Sequence, residues 1–154
     1  MISQNLKILL ADDDKDDCMF FLEALEELEL STEVTPLYDG VQVMQYLTKK
    51  TNQLPDVLFL DLNMPRKNGF TCLEEIKRSE KLKHLPVIIF STSYDENVAE
   101  LLYKNGAQHY ICKPADFSQL KMLIQRALSF VSGKKITQPR KENFLLNNLK
   151  TILL

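Results

Sequence analysis

Residues 57–69 read VLFLDLNMPRKNG. Four apolar residues, Val57 to Leu60, run without interruption into Asp61, and Asn63, Met64 and Pro65 follow. A continuous apolar run of this length suits a strand covered on both faces of a parallel sheet. A carboxylate set directly after such a strand is poorly solvated unless something compensates it. The stretch therefore predicts a layered α/β fold and a charge held at the end of a buried strand.

Outward from this stretch, two kinds of segment alternate. Short apolar runs, Lys7–Ala11, Val34–Tyr38, Val57–Leu60, Val87–Phe90 and His109–Cys112, have strand length. Between them lie helical patterns. In the first, Phe21, Leu22, Leu25 and Leu28 share a spacing, and the others run over Val41–Thr48, Phe70–Arg78, Asn97–Asn105 and Phe117–Phe130. Phe117, Leu120, Ile124, Ala127 and Val131 form the stripe of the last. Gly69 and Gly106 fall in loops, Pro55 and Pro86 precede strands, and Asp116 can cap the fifth helix. Five βα repeats joined by right-handed crossovers make one doubly wound parallel sheet with helices on both faces. After Gly133, Pro139 breaks the path, and Phe144, Leu145, Leu149, Ile152 and Leu153 fall at helical spacing. Residues 133–154 are thus expected to be a tail with a short amphipathic helix, too short for a core of its own.

The 154 residues are 45% hydrophobic and 26% charged, the profile of one globular domain. The net charge of −2 argues against a broad nucleic-acid footprint. No apolar run approaches the ~18 residues of a membrane helix. The N-terminus has no cleavage-site pattern and reads as a strand. Cys18, Cys72 and Cys112 form no C-x-x-C pair and read as small hydrophobes of a reducing cytosol. Residues 1–30 hold nine acids against two Lys, and residues 134–154 hold five basic residues against one acid. The first imbalance suggests a local cation site or a solvated helix face; the second reads as a solvated face.

In an open parallel sheet, ligands bind beyond the carboxyl ends of the strands. Asp12, Asp13 and Asp14 follow the first strand and Asp61 the third. Ser91, Thr92 and Ser93 follow the fourth, and Lys113-Pro114 the fifth. Clustered carboxylates resist ionising without a cation. Mg²⁺ suits one or two carboxylates with water and phosphate oxygens, and Lys113 adds a point charge for a phosphoryl oxygen. Metal, nucleophilic carboxylate, lysine and hydroxyl are the parts that phosphoryl transfer needs. Asp14 reads as a helix cap, with Asp16 and Asp17 as first-turn acids. His84 and His109 have no second ligand at metal spacing; His84 reads as loop surface and His109 as facing solvent.

Together, LKILLA followed by Asp12-Asp13, LFLDLNMPRKNG around Asp61, PVIIFSTS around Ser91 and HYICKP around Lys113 resemble the receiver domains of two-component response regulators, over about residues 5–131. The resemblance implies a flavodoxin-like (βα)5 fold with strand order 2-1-3-4-5 and a receiver spanning 5–132. It implies Asp61 as phosphoacceptor, and Asp13, Asp61 and the Asn63 carbonyl as ligands of Mg²⁺ (or Mn²⁺), with Asp12 assisting through water. It implies Lys113 as the phosphoryl-holding cation, before a cis peptide to Pro114, and Tyr110 as the aromatic that follows the switch. Ser91 takes the switch-hydroxyl position, with Thr92 the alternative. Thr92 is larger than the residue usual there and is expected to narrow access to Asp61. The implied donor is a sensor histidine kinase or histidine phosphotransfer protein, and the implied output a downstream protein, in the cytoplasm, without nucleic acid or membrane. Loss of the acyl phosphate is then a self-catalysed timer rather than enzyme turnover. Homodimer pairing through the fourth and fifth helices or the tail is the further expectation.

Three alternatives share parts of this pattern. A degenerate receiver would dock partners without phosphate. An aspartate-nucleophile phosphatase of the haloacid-dehalogenase type would use Asp12 and Asp14, but leaves Asp61 unexplained. A flavodoxin-type flavin binder would need a glycine- and hydroxyl-rich loop where three aspartates stand.

Overall fold

The computed structural model describes residues 5–51, 53–131 and 137–147. Strands β1 (Leu6–Ala11), β2 (Thr32–Leu37), β3 (Val57–Leu60), β4 (Val87–Ser91) and β5 (His109–Cys112) alternate with helices α1 (Lys15–Glu27), α2 (Gly40–Thr48), α3 (Gly69–Arg78), α4 (Glu96–Lys104) and α5 (Phe117–Val131). The five strands are all parallel, in the order β2-β1-β3-β4-β5. The expected architecture and strand order are therefore observed.

The period of two along β3 sorts its side chains between two cores. Leu58 and Leu60 join one with Leu9, Val43, Leu73, Ile89 and Leu102; Val57 and Phe59 join the other with Ile8, Phe21, Phe90 and Ile124. Phe21, Phe59 and Phe90 meet edge to face, with centroids 4.9, 5.5 and 6.3 Å apart. This packing ties α1 to the two central strands and so sets the height of the loop that carries Asp12 and Asp13. Asp14 caps α1, its carboxylate accepting from the N–H groups of Asp16 and Asp17 at 2.9 and 3.2 Å. Asp116 accepts from the Gln119 N–H at the start of α5.

Several local expectations shift. β2 begins two residues earlier than its apolar run, because this edge strand pairs with β1 through the polar Thr32 and Glu33. Pro36 is tolerated at that edge. On α1 the buried stripe is Cys18, Phe21, Ala24 and Leu25, and Leu22 lies exposed beside it. His84 is exposed. His109 does not face solvent: it is buried and stacks on Phe130 at 4.8 Å.

The start of the expected tail helix is not wound as an α-helix. After a 3-10 turn at Lys141–Asn143, the chain runs beside β5, with Leu145 opposite Tyr110 in a parallel bridge. The Tyr110 N–H donates to the Phe144 carbonyl at 3.0 Å, and the Leu146 N–H to the Tyr110 carbonyl at 2.9 Å. Asn147 exchanges two side-chain bonds with the Cys112 backbone, at 2.8 and 2.9 Å. Phe144 sinks into one core and Leu146 into the other. The edge of β5 offered a row of backbone groups, and satisfying them outweighed helical winding. Leu149, Ile152 and Leu153 lie outside the described residues.

His109 makes the stability of this fold pH-dependent. Burial first, and the nearby Arg126 charge second, lower its imidazole from 6.5 to about 4, and Nδ1 has no hydrogen-bond partner. The unfolded chain then binds a proton that the folded chain refuses, so stability is whole above pH 6.5 and falls as pH drops towards 4. Denaturant unfolding of His109→Phe, which keeps the stack on Phe130, should lack this component. The parent is expected to lose up to about 3 kcal/mol relative to the variant over that window, at roughly 1.4 kcal/mol per pH unit.

Candidate functional site

The carboxyl ends of β1, β3, β4 and β5 bring Asp12, Asp13, Asp61, Ser91 and Lys113 to one edge of the sheet. The Asp61 N–H donates to the Ala11 carbonyl at 2.9 Å, which continues the β1–β3 ladder beyond Leu60 and locks Asp61 beside Asp12. Gly69 permits the tight return of the β3–α3 loop. A Cβ there would stand 2.3 Å from the Asp61 carbonyl oxygen, so any larger residue would push the loop off the strand end. Arg66, in the same loop, adopts a φ of 68° and pairs with Asp39 at 3.2 Å.

Asp12 is fully buried and Asp61 is 7% exposed; Asp13 is exposed. Carboxylate oxygens of the three lie within 4.8 Å of one another. The Lys113 ammonium, whose side chain is 8% exposed, sits 2.6 Å from Asp12 Oδ2, 2.9 Å from Asp17 Oδ2 and 3.6 Å from Asp61 Oδ2. The second Asp12 oxygen accepts from the Asp14 N–H at 3.0 Å. Burial alone would lower the Lys113 pKa, but its hydrogen bonds to Asp12 and Asp17 and the charges of Asp12 and Asp61 hold it above its ordinary value. Lys113 is thus a fixed cation.

One cation does not balance this many acids. Burial pushes Asp61 up from 3.8 to about 6; Lys113 opposes the shift, and the neighbouring Asp12 adds to it. A carboxylate that resists ionising beside two further carboxylate oxygens is a site short of positive charge. The donor set is all oxygen, which suits a hard divalent cation such as Mg²⁺ or Mn²⁺.

Ser91, at the end of β4, is fully buried and its hydroxyl has no hydrogen-bond partner, while Thr92 is exposed. Tyr110 is buried, and its hydroxyl donates to the Ser93 carbonyl. Burial pushes the Tyr110 phenol up to about 12. The Tyr94 and Phe144 rings lie edge-on to it at 5.3 and 6.3 Å. Asn63 is exposed beside Asp61. The Lys113–Pro114 peptide is trans and not cis. Trans is the intrinsically favoured form of such bonds, and the Lys113 N–H extends the β4–β5 ladder to the Ser91 carbonyl at 2.8 Å.

Sequence reasoning missed Asp17, which it took for a first-turn acid. In the first turn of α1, whose start Asp14 caps, the Asp17 carboxylate accepts from the Lys113 ammonium. No spacing rule shows this contact, because the two residues lie 96 positions apart.

The charge deficit has a measurable consequence. With no divalent cation, the folded chain carries an ionised Asp61 at a cost that is full above pH 6 and disappears below the unfolded value of 3.8. In chelator at pH 7, Asp61→Asn is expected to be more stable than the parent by up to about 3 kcal/mol, from roughly 1.4 kcal/mol per pH unit. In denaturant melts the gain should vanish near pH 3.5.

Comparison with known proteins identifies the family. The family model described as "Response regulator receiver domain" matches residues 8–125. The chain is 31% identical over 129 residues to a probable methanogenesis regulatory protein, FilR2, of Methanothrix harundinacea, covering 82% of this chain and 83% of that one. It is 32% identical over 127 residues to response regulator Rcp1 of Synechocystis, covering 80% and 86%. Among solved structures, the phosphorylated cyanobacterial phytochrome response regulator RcpA superposes with a TM-score of 0.77 at 34% identity, covering 88% of this chain and 99% of that one. The Mn²⁺-bound form of Rcp1 gives 0.75 at 30% identity, covering 87% and 99%. No helix among the described residues is long and apolar enough to cross a membrane. With the sheet order, the acidic cluster and the lysine at the ends of β1, β3 and β5, these likenesses make the chain a member of the response regulator receiver domain family, a signalling module of two-component systems.

Proposed function

We propose that the chain accepts a phosphoryl group on Asp61 from a phosphohistidine of a sensor histidine kinase or histidine phosphotransfer protein, and that this switches a protein-docking surface. The observation that carries the reading is the half-compensated Asp61: nearly buried, beside two further carboxylates, with the Lys113 ammonium 3.6 Å away.

An Asp61 carboxylate oxygen attacks phosphorus, the P–N bond breaks, and the imidazole leaves with the electron pair. Asp12, Asp13, Asp61 and the Asn63 carbonyl would hold Mg²⁺ or Mn²⁺, which would neutralise charge on the phosphoryl oxygens. The Mn²⁺-bound form of Rcp1 supports this choice of ion. Lys113 turns its free N–H to one phosphoryl oxygen. The buried Ser91 hydroxyl, which makes no well-formed hydrogen bond in the resting protein, supplies a donor to another. Tyr110, whose strand joins Lys113 to the tail, conveys the change to the face formed by α4, β5 and α5. Residues 5–132 form the receiver and 133–154 an appendage. The module acts in the cytoplasm, and homodimer pairing through the α4 and α5 face or the tail is part of the proposal. Hydrolysis of the acyl phosphate by the same residues is a timer, with no external substrate turned over.

Incubation with acetyl phosphate and Mg²⁺ should add the mass of one phosphoryl group to the parent. The addition should be lost in Asp61→Asn and with chelator. No gain in the parent under any donor, kinase included, would leave a phosphate-independent docking module. Thr92→Ala should lose its phosphate faster than the parent if the larger side chain narrows access to Asp61, and equal rates would refute that narrowing. Mn²⁺ titration of Asp13→Asn should show affinity at least tenfold weaker, the effect of losing ~1.4 kcal/mol of ion binding.

A further inference from the structure

We infer that Asp17 is a positioning residue that holds the Lys113 ammonium back from Asp61 in the resting protein and releases it when a phosphoryl group arrives; this rests on the phosphoacceptor reading above. The three carboxylates around the ammonium are not equivalent. Asp12 and Asp17 accept hydrogen bonds from it at 2.6 and 2.9 Å, whereas Asp61 stands at 3.6 Å, beyond hydrogen-bond distance. An ammonium has three N–H donors. Two are spent, on the side of β1 and α1, and the third does not reach the residue it would serve.

The two spent bonds differ in how easily they break. Asp12 is fully buried, so losing Lys113 would leave its carboxylate uncompensated inside the protein. The Asp17 side chain is 34% exposed and lies in the first turn of α1, where water can take the place of the ammonium. Asp17 is therefore the replaceable partner. A phosphoryl group on Asp61 brings a charge of about −2 and three strong acceptor oxygens, and competes for the same ammonium from the opposite side. While Asp17 holds Lys113, part of the transition-state charge goes unmatched. Release from Asp17 belongs to the barrier of phosphoryl uptake.

Asp16 is the internal comparison. It neighbours Asp17, carries the same charge and is exposed, and the hydrogen bond it makes is from its own N–H to Asp14, at the helix cap. Removing its charge takes one acid from the same helical turn without breaking a hydrogen bond to Lys113.

The test follows intact mass against time for the full chain with Mg²⁺ and saturating acetyl phosphate. Asp17→Asn is expected to take up the phosphoryl group about fivefold faster than the parent, which corresponds to ~1 kcal/mol of barrier. Asp17→Glu, which keeps the charge on a longer arm, and Asp16→Asn should stay within about twofold of the parent. An Asp17→Asn rate no faster than that of Asp16→Asn, or an Asp17→Glu rate equal to that of Asp17→Asn, would overturn the inference while uptake by the parent leaves the phosphoacceptor reading standing. No uptake by the parent from any donor, kinase included, would overturn both.

Discussion

The Lys113 ammonium, buried among the carboxylates of Asp12, Asp17 and Asp61, is the interaction around which the rest of the site is arranged. It closes a charge network whose members come from β1, α1, β3 and β5, joining elements on either side of the sheet centre. Removing water from two acids is costly, and a single lysine offsets only part of that cost. The imbalance explains several features together. Asp61 resists ionising, Asp12 recruits the Asp14 N–H, and the oxygen donors converge where a divalent ion would complete the neutralisation. A site balanced by protein groups alone would have little reason to take up either a cation or a phosphoryl group.

The scaffold supplies this geometry through ordinary packing. The phenylalanines Phe21, Phe59 and Phe90 hold α1 against β3 and β4. The ladder bond from Asp61 to Ala11 sets the two strand ends level. The Lys113 ammonium also lies 5.3 Å from the centre of the Phe90 ring, so the same aromatic cluster that aligns the strands helps to seat the cation. Gly40 and Gly69 allow the loops to cross closely. A Cβ on Gly40 would meet the Lys67 carbonyl at 2.1 Å, just as one on Gly69 would meet Asp61. The β3–α3 loop is thereby held down at both sides of the arc that carries Asn63.

Most of the architecture was legible because buried strands of a parallel sheet are nearly continuous hydrophobes, and β3 and β4 are such runs. What was not legible shares a physical origin. β2 is an edge strand whose pairing rests on backbone bonds, so Thr32 and Glu33 carry no apolar signal. His109 reads as polar, yet its ring packs flat on Phe130. Phe144 and Leu145 open a run at helical spacing, but the open edge of β5 offered backbone partners that a helix would have left unmet. Asp17 is the clearest case at the site: its local role as a first-turn acid is real, and its contact with Lys113 depends on a tertiary alignment that residue spacing does not encode. The convergence of Asp12, Asp13, Asp61 and Lys113 was readable from topology alone, since each stands at the carboxyl end of a parallel strand.

The tail changes how such a sheet could communicate. Both backbone groups of Tyr110 are bonded to Phe144 and Leu146, its ring touches Tyr94 and Phe144, and its hydroxyl holds the Ser93 carbonyl of the β4–α4 loop. Two residues further along, Cys112 is clasped by Asn147, and Lys113 comes next. Gln138 reaches the Tyr103 and Ala107 carbonyls at the end of α4, and the Tyr103 hydroxyl reaches the Pro139 carbonyl. The strand that delivers the cation to the site is therefore the strand that the tail is zipped to. The segment that precedes Lys113 is held by the tail, and displacing the tail would remove cover from both cores, through Phe144 and Leu146. In this chain the face of α4 and β5 is thus a composite of receiver and tail, and any partner that docks there meets tail residues as well as the receiver's own.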